Sequence, residues 1–134
     1  MTLIIERYPY AEVKRSNVDG QRKYNTPTGP VPSVTTILGK TKDMTHLNNW
    51  KKRVGEKKAQ EIVTEAASVG TRMHKYLEDY VETSNWVEPG SNPYAQQAHR
   101  MATQVKEQAL ADVDEIWGSE VALYVPGIYA GTTD

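Results

Sequence analysis

Apolar residues recur at helical spacing through the middle of the chain and at alternate positions near its two ends. From Thr45 to about Thr83 they fall at Leu47, Trp50 and Val54, then Ala59, Ile62, Val63 and Ala66, then Met73, Tyr76, Leu77, Tyr80 and Val81, which predicts helix. That span exceeds a usual globular helix, so breaks are expected near Gly55 and Gly70. Tyr94, Ala98, Met101, Ala102, Val105 and Ala109 predict an amphipathic helix over 94–112, reached through a loop, NWVEPGSN, at 85–92. At the N-terminus LIIERY (3–8) and YAEVKR (10–15) are strand-like, and Asp19-Gly20 is a hairpin signal because both residues tolerate positive φ. The proline-rich run NTPTGPVPS (25–33) predicts an extended connector that ends regular pairing, after which Ser33 is placed to cap a short helix, SVTTILGK, with Gly39 as its stop. In EIWGSEVALYV the period becomes two: Ile116, Glu120, Ala122 and Tyr124 share one face, Trp117, Ser119, Val121 and Leu123 the other. Pro126-Gly127 then turns the chain into a second strand, IYAGTTD.

These elements predict an α+β fold in a single domain: an N-terminal β-ribbon and connector (1–32), a helical region (33–113) and a strand pair (114–134). Composition narrows the chemistry. With 134 residues the chain suits one domain, burying roughly two thirds of its unfolded surface without a metal or disulfide staple. The absence of cysteine excludes a disulfide framework, a Cys-ligated zinc or iron–sulfur site and a cysteine nucleophile, and leaves oxygen and imidazole as the only metal ligands. The N-terminus lacks a signal peptide's long apolar region, and no stretch approaches the roughly 20 apolar residues of a membrane helix, so a soluble intracellular protein with no membrane partner is expected. The formal net charge of −1 hides a split: residues 1–58 hold 12 basic and 5 acidic side chains, residues 59–134 hold 4 basic and 12 acidic. A polyanion-binding half joined to a metal-binding half would show this, and so would two solvated helix faces of opposite sign.

Three places hold residues with chemistry to offer. His74 and Glu78 lie one helical turn apart beside the stripe of Met73, Leu77 and Val81, with Arg72, Lys75, Asp79 and Glu82 on the solvated side; this fits a boundary histidine paired with Glu78 as well as it fits a metal ligand. Glu120 is a carboxylate amid an apolar strand, informative only if its face is covered, which alternation alone leaves open. Asp134 follows Gly131, Thr132 and Thr133 at a strand end. The basic residues Lys51, Lys52, Arg53, Lys57 and Lys58 surround Trp50, which fits phosphate contacts with a stacking ring, and equally a wet helix face with Trp50 in the core. His46 and His99 stand alone and read as surface or capping residues. Phosphate-loop, dinucleotide, zinc-protease and nucleophile-elbow motifs are absent.

In order, PSVTTIL, the basic helix with its tryptophan, GTRMH followed by YLEDY, a further helix, a strand with Glu120, and YAGTTD resemble the PD-(D/E)XK nucleases, in particular the RecB-like phage exonucleases and the mitochondrial genome maintenance exonuclease. The resemblance runs from about Tyr24 to Asp134, the N-terminal part of such a domain, so that residues 114–134 would be the first two strands of a central mixed sheet. It implies a metal-dependent exonuclease hydrolysing phosphodiesters at single-stranded DNA ends, in replication or repair, in a bacterial host's cytoplasm if phage-encoded. By the same resemblance His74 and Asp134 hold Mg²⁺ or Mn²⁺, Glu120 lies beside the site as a further catalytic residue, and Ser33 and Thr35 join the basic helix in holding DNA, with Glu78 a weaker candidate. The family's (D/E)xK segment would lie beyond Asp134, so the chain alone is expected to be inactive, to await a complementing C-terminal fragment, and to self-associate or stay partly ordered over 115–134. The alternative is a non-catalytic nucleic-acid-binding module, and a third class is a small structural or interaction protein built around the amphipathic helices, which predicts no DNA binding.

Overall fold

The computed structural model describes residues 1–134. It has the α+β content expected from the pattern, arranged as two units with separate interiors: a helical unit (Met1–Leu3 and Met44–Ile116) and a hairpin unit (Ile4–Asp43 and Trp117–Asp134).

In the hairpin unit, β2 (Lys14–Val18) and β3 (Gln21–Thr26) pair antiparallel across Asp19-Gly20, whose φ of 51° and 76° put both residues in the left-handed region that a two-residue hairpin turn requires. The next segment departs from expectation. Instead of ending the pairing, Gly29–Pro32 forms a further strand, β4, in the order β2-β3-β4. Pro30 and Pro32 share one parity of an edge strand, so their missing N–H groups fall on the side away from β3 while Val31 faces Tyr24. Ser33 then caps α1 (Val34–Thr41), its Oγ accepting from the Thr36 amide at 3.0 Å. Gly39 lies inside α1, which runs two residues further and stops at Lys42, where the backbone turns extended.

The predicted strands at the N-terminus shrink. Of 10–15 only Lys14 and Arg15 pair, as the start of β2; of 3–8 only Leu3 does, in β1 (Thr2–Leu3), which runs parallel to Glu115–Ile116 (β5) in the helical unit, and Ile5–Arg7 closes a 3-10 turn ahead of Tyr8-Pro9. The alternating run after residue 114 is likewise two strands and not one. It breaks at Trp117–Glu120 and resumes as β6 (Val121–Val125), which pairs antiparallel with β7 (Tyr129–Thr133) from Val121 opposite Thr133 to Val125 opposite Tyr129. Tyr24, Val31 and Ala130 are the buried centre of this unit, with Val13, Ala122 and Tyr124 packed on them, and the Tyr24 hydroxyl meets Thr132 Oγ1 at 3.0 Å.

In the helical unit, α2 (Thr45–Val54) ends at Gly55, whose φ of 89° sets the expected break, and α3 (Glu56–Thr83) then runs unbroken through Gly70. A glycine inside a helix costs only about 1 kcal/mol, too little to interrupt a helix anchored on both sides. Asn92 opens α4 (Pro93–Gln104), its Oδ1 accepting from the Tyr94 and Ala95 amides at 2.8 and 3.3 Å, and Val105–Ala109 continues as a π turn closed by the Leu110 amide on the Val105 carbonyl. The buried stripe of α4 is Ala95, Ala98 and Ala102, with Tyr94 and Met101 of the predicted face about two-fifths exposed. On α3 the buried residues are Ala59 and Val69, while Ile62 and Val63 lie outside. Small side chains let α3 and α4 approach closely, which outweighs burying the larger ones.

Candidate metal centre

The hairpin β6–β7 brings its two flanking carboxylates together. Val121 pairs with Thr133, so the residues just outside that rung, Glu120 and Asp134, face each other across the end of the ladder. An oxygen of one carboxylate lies within 4.8 Å of an oxygen of the other, and both residues are exposed. Two oxygens bound to one cation at about 2.1–2.5 Å can lie no further apart than roughly 4–5 Å, so the separation fits a shared divalent ion.

Glu120 reaches this position through an unusual backbone. The expected place in mid-strand, on the face of Ile116 and Ala122, is corrected: Glu120 precedes β6, with φ of 53°. A non-glycine residue in that region costs about 1–2 kcal/mol, and Glu lacks the short side chain that lets Asn or Asp offset it. The left-handed turn takes Glu120 off the strand's alternation. Its neighbours are held firmly: a Cβ on Gly118 would lie 2.5 Å from Val121 Cγ2 and 3.2 Å from the Tyr10 hydroxyl, and that hydroxyl donates to the Trp117 carbonyl at 2.9 Å. Tyr8 packs edge-on against Trp117 at 5.6 Å, and the Arg7 guanidinium lies 5.2 Å from the Trp117 ring.

The other candidates stand as follows. His74 is exposed on α3 in the helical unit, with Glu78 half-buried one turn on. Beside them Lys75 bridges Asp79 at 2.8 Å. That hydrogen bond, with the charges of Asp79, Glu78 and Glu82, holds the Lys75 ammonium above its ordinary pKa. Trp50 and Lys51 are half-buried on α2, whereas Lys52, Arg53, Lys57 and Lys58 are exposed, Lys58 lying 4.0 Å from Glu61. Lys51, Lys57 and Gln60 line a groove of about 460 Å³ at the junction of α2 and α3. Ser33 is buried, and its Oγ is taken up by the helix cap and by the hydroxyls of Thr35 and Thr36 at 3.0 and 2.8 Å; Thr35 itself is exposed.

His46 is exposed as read, but His99 is corrected. It is mostly enclosed by rings, 4.9 Å from Trp86 and 5.2 Å from Tyr76, with Nε2 buried and 4.0 Å from a Glu88 carboxylate oxygen. Tyr80 and Lys106 complete this cluster, the ammonium 5.2 Å from both the Tyr80 and Trp86 rings. It fastens the 85–92 loop to the helices. Two exposed arginines were also passed over, Arg15 and Arg22, on one face of the β2–β3 hairpin. The Asp19-Gly20 turn carries the signal for them: its register places residues 15, 17, 22 and 24 on a common face.

Comparison with protein-family models, with curated proteins and with solved structures returns no match to this chain.

Proposed function

We propose that this chain is the metal- and strand-holding part of a metal-dependent nuclease acting on DNA, with single-stranded ends as substrate. The observation that carries the reading is the Glu120–Asp134 pair, two carboxylates at the end of one hairpin with oxygens within 4.8 Å. The donor set fits a hard divalent cation, Mg²⁺ or Mn²⁺, which prefers carboxylate oxygen and accepts imidazole. Glu120 and Asp134 would hold it, with His74 as the third ligand on the strength of the resemblance of GTRMH and GTTD to the PD-(D/E)XK pattern. Such a cation, when bound, supplies charge neutralisation at a phosphate and activation of water. The exposed cations Lys52, Arg53 and Lys57 would draw the DNA backbone in by displacing its counterions.

A second reading, a nucleic-acid-binding module without catalysis, is favoured by those same exposed cations. The two separate in one experiment. Affinity for a single-stranded oligothymidylate is measured with Mg²⁺ and with chelator, in the unsubstituted chain and in Glu120→Gln and Asp134→Asn. The nuclease reading predicts that the cation strengthens binding and that either substitution removes the gain. An affinity indifferent to cation and to both substitutions, yet falling with salt and with Lys52→Ala, would establish the binding module instead.

A further inference from the structure

The hairpin unit contains a cleft of about 340 Å³ to which no role has been assigned. The β2–β3 hairpin contributes Arg15 and Arg22 to its lining. These residues are diagonal neighbours on the same hairpin face, both exposed, and neither forms a salt bridge. The β6–β7 hairpin contributes Leu123, Tyr129 and Thr133 to the same cleft. Leu123 is half exposed and Tyr129 39% exposed, an apolar and aromatic surface in the same cleft as two arginines that form no salt bridge. No carboxylate and no lysine lines the cleft.

This combination selects the ligand's chemistry. Paired guanidiniums present planar donor forks matched to phosphate oxygens, and a tyrosine ring beside an aliphatic wall takes the face of a planar base. We infer that the cleft binds one nucleotide unit, its phosphate on Arg15 and Arg22 and its base against Tyr129. Thr133, the last residue of β7, lines the cleft, and the next residue is Asp134 of the carboxylate pair. In that respect the inference rests on the nuclease reading and names the part of this unit that would grip the substrate. An acidic peptide could also meet two arginines, but it would leave the tyrosine and leucine surface without a planar partner.

The test is made on the whole chain in chelator, so that it is independent of any cation and of hydrolysis. Binding of a fluorescent oligothymidylate is followed by anisotropy, with thymidine monophosphate, inorganic phosphate and a polyglutamate peptide as competitors. Arg15→Ala and Arg22→Ala are expected to weaken oligothymidylate binding about tenfold each, the loss of a charge-assisted contact, and Tyr129→Ala to weaken it while Tyr129→Phe does not. Arg→Lys at either position should recover only part of the loss, because the charge returns without the fork. Competition by thymidine monophosphate identifies a site for a free nucleotide as well as a strand; competition by neither mononucleotide nor phosphate, with arginine dependence retained, identifies a site that needs the strand. Unchanged affinity in both arginine variants overturns the inference, as does displacement by polyglutamate with no dependence on Tyr129. Failure of the nuclease reading shows elsewhere, as cation-indifferent binding with the arginine dependence intact.

Discussion

At the scale of single residues, Glu120 presents the sharpest conflict between stability and chemistry. Its left-handed backbone costs about 1–2 kcal/mol and places a carboxylate beside another, so a residue kept for the fold alone would be glycine. Glu120→Gly is accordingly expected to raise stability by about 1 kcal/mol in a denaturant titration while abolishing the response to Mn²⁺. A destabilised Glu120→Gly chain would show instead that the side chain supports the turn. Lys75 offers a second residue-scale test. Its pKa is raised chiefly by the hydrogen bond to Asp79, so its contribution to folding is complete below the ordinary value of 10.5 and is lost as pH climbs through the raised one. Asp79→Ala removes the two largest causes, and NMR titration of the lysine side chain should then move back toward 10.5. A titration unchanged by the substitution would deny the pair any role in solution.

At the scale of elements, local chemistry was legible wherever one residue decides the geometry. Asp19-Gly20 set a two-residue turn, Ser33 capped α1, Gly55 separated α2 from α3, and Pro126-Gly127 joined β6 to β7. Asn92, the last residue of the expected 85–92 loop, was not read as a cap: it answers two amides at the start of α4, and Asn92→Ala should cost about 1 kcal/mol of thermal or denaturant stability, with no loss if the cap is idle. What stayed hidden depends on partners. Pro30 and Pro32 are compatible with a strand only because β4 is an edge, which a run of prolines does not announce. The face of α4 that is buried is its alanine stripe, since close approach to α3 favours small residues over Tyr94 and Met101. Glu120 followed the strand period in the sequence and broke it in the structure, because one left-handed residue resets the alternation. His99 looked isolated, for its neighbours Trp86 and Tyr76 come from 13 and 23 residues away in the chain.

At the scale of the whole molecule, a net charge of −1 conceals surfaces of different charge: exposed cations on α2 and the start of α3, an arginine face on the β2–β3 hairpin, and paired carboxylates at the end of β6–β7. No helix is long and apolar enough to cross a membrane. The carboxylate pair was legible in part, since both residues were singled out from the sequence, but their meeting required the hairpin register that sets Val121 opposite Thr133. Because the proposed hydrolysis depends on a cation at that pair, calorimetric titration of Mn²⁺ into the chain is the most direct measurement. The account predicts one saturable site in the unsubstituted chain, lost in Glu120→Gln and in Asp134→Asn and weakened in His74→Ala. Identical heats in all four chains, or none in any, would contradict it.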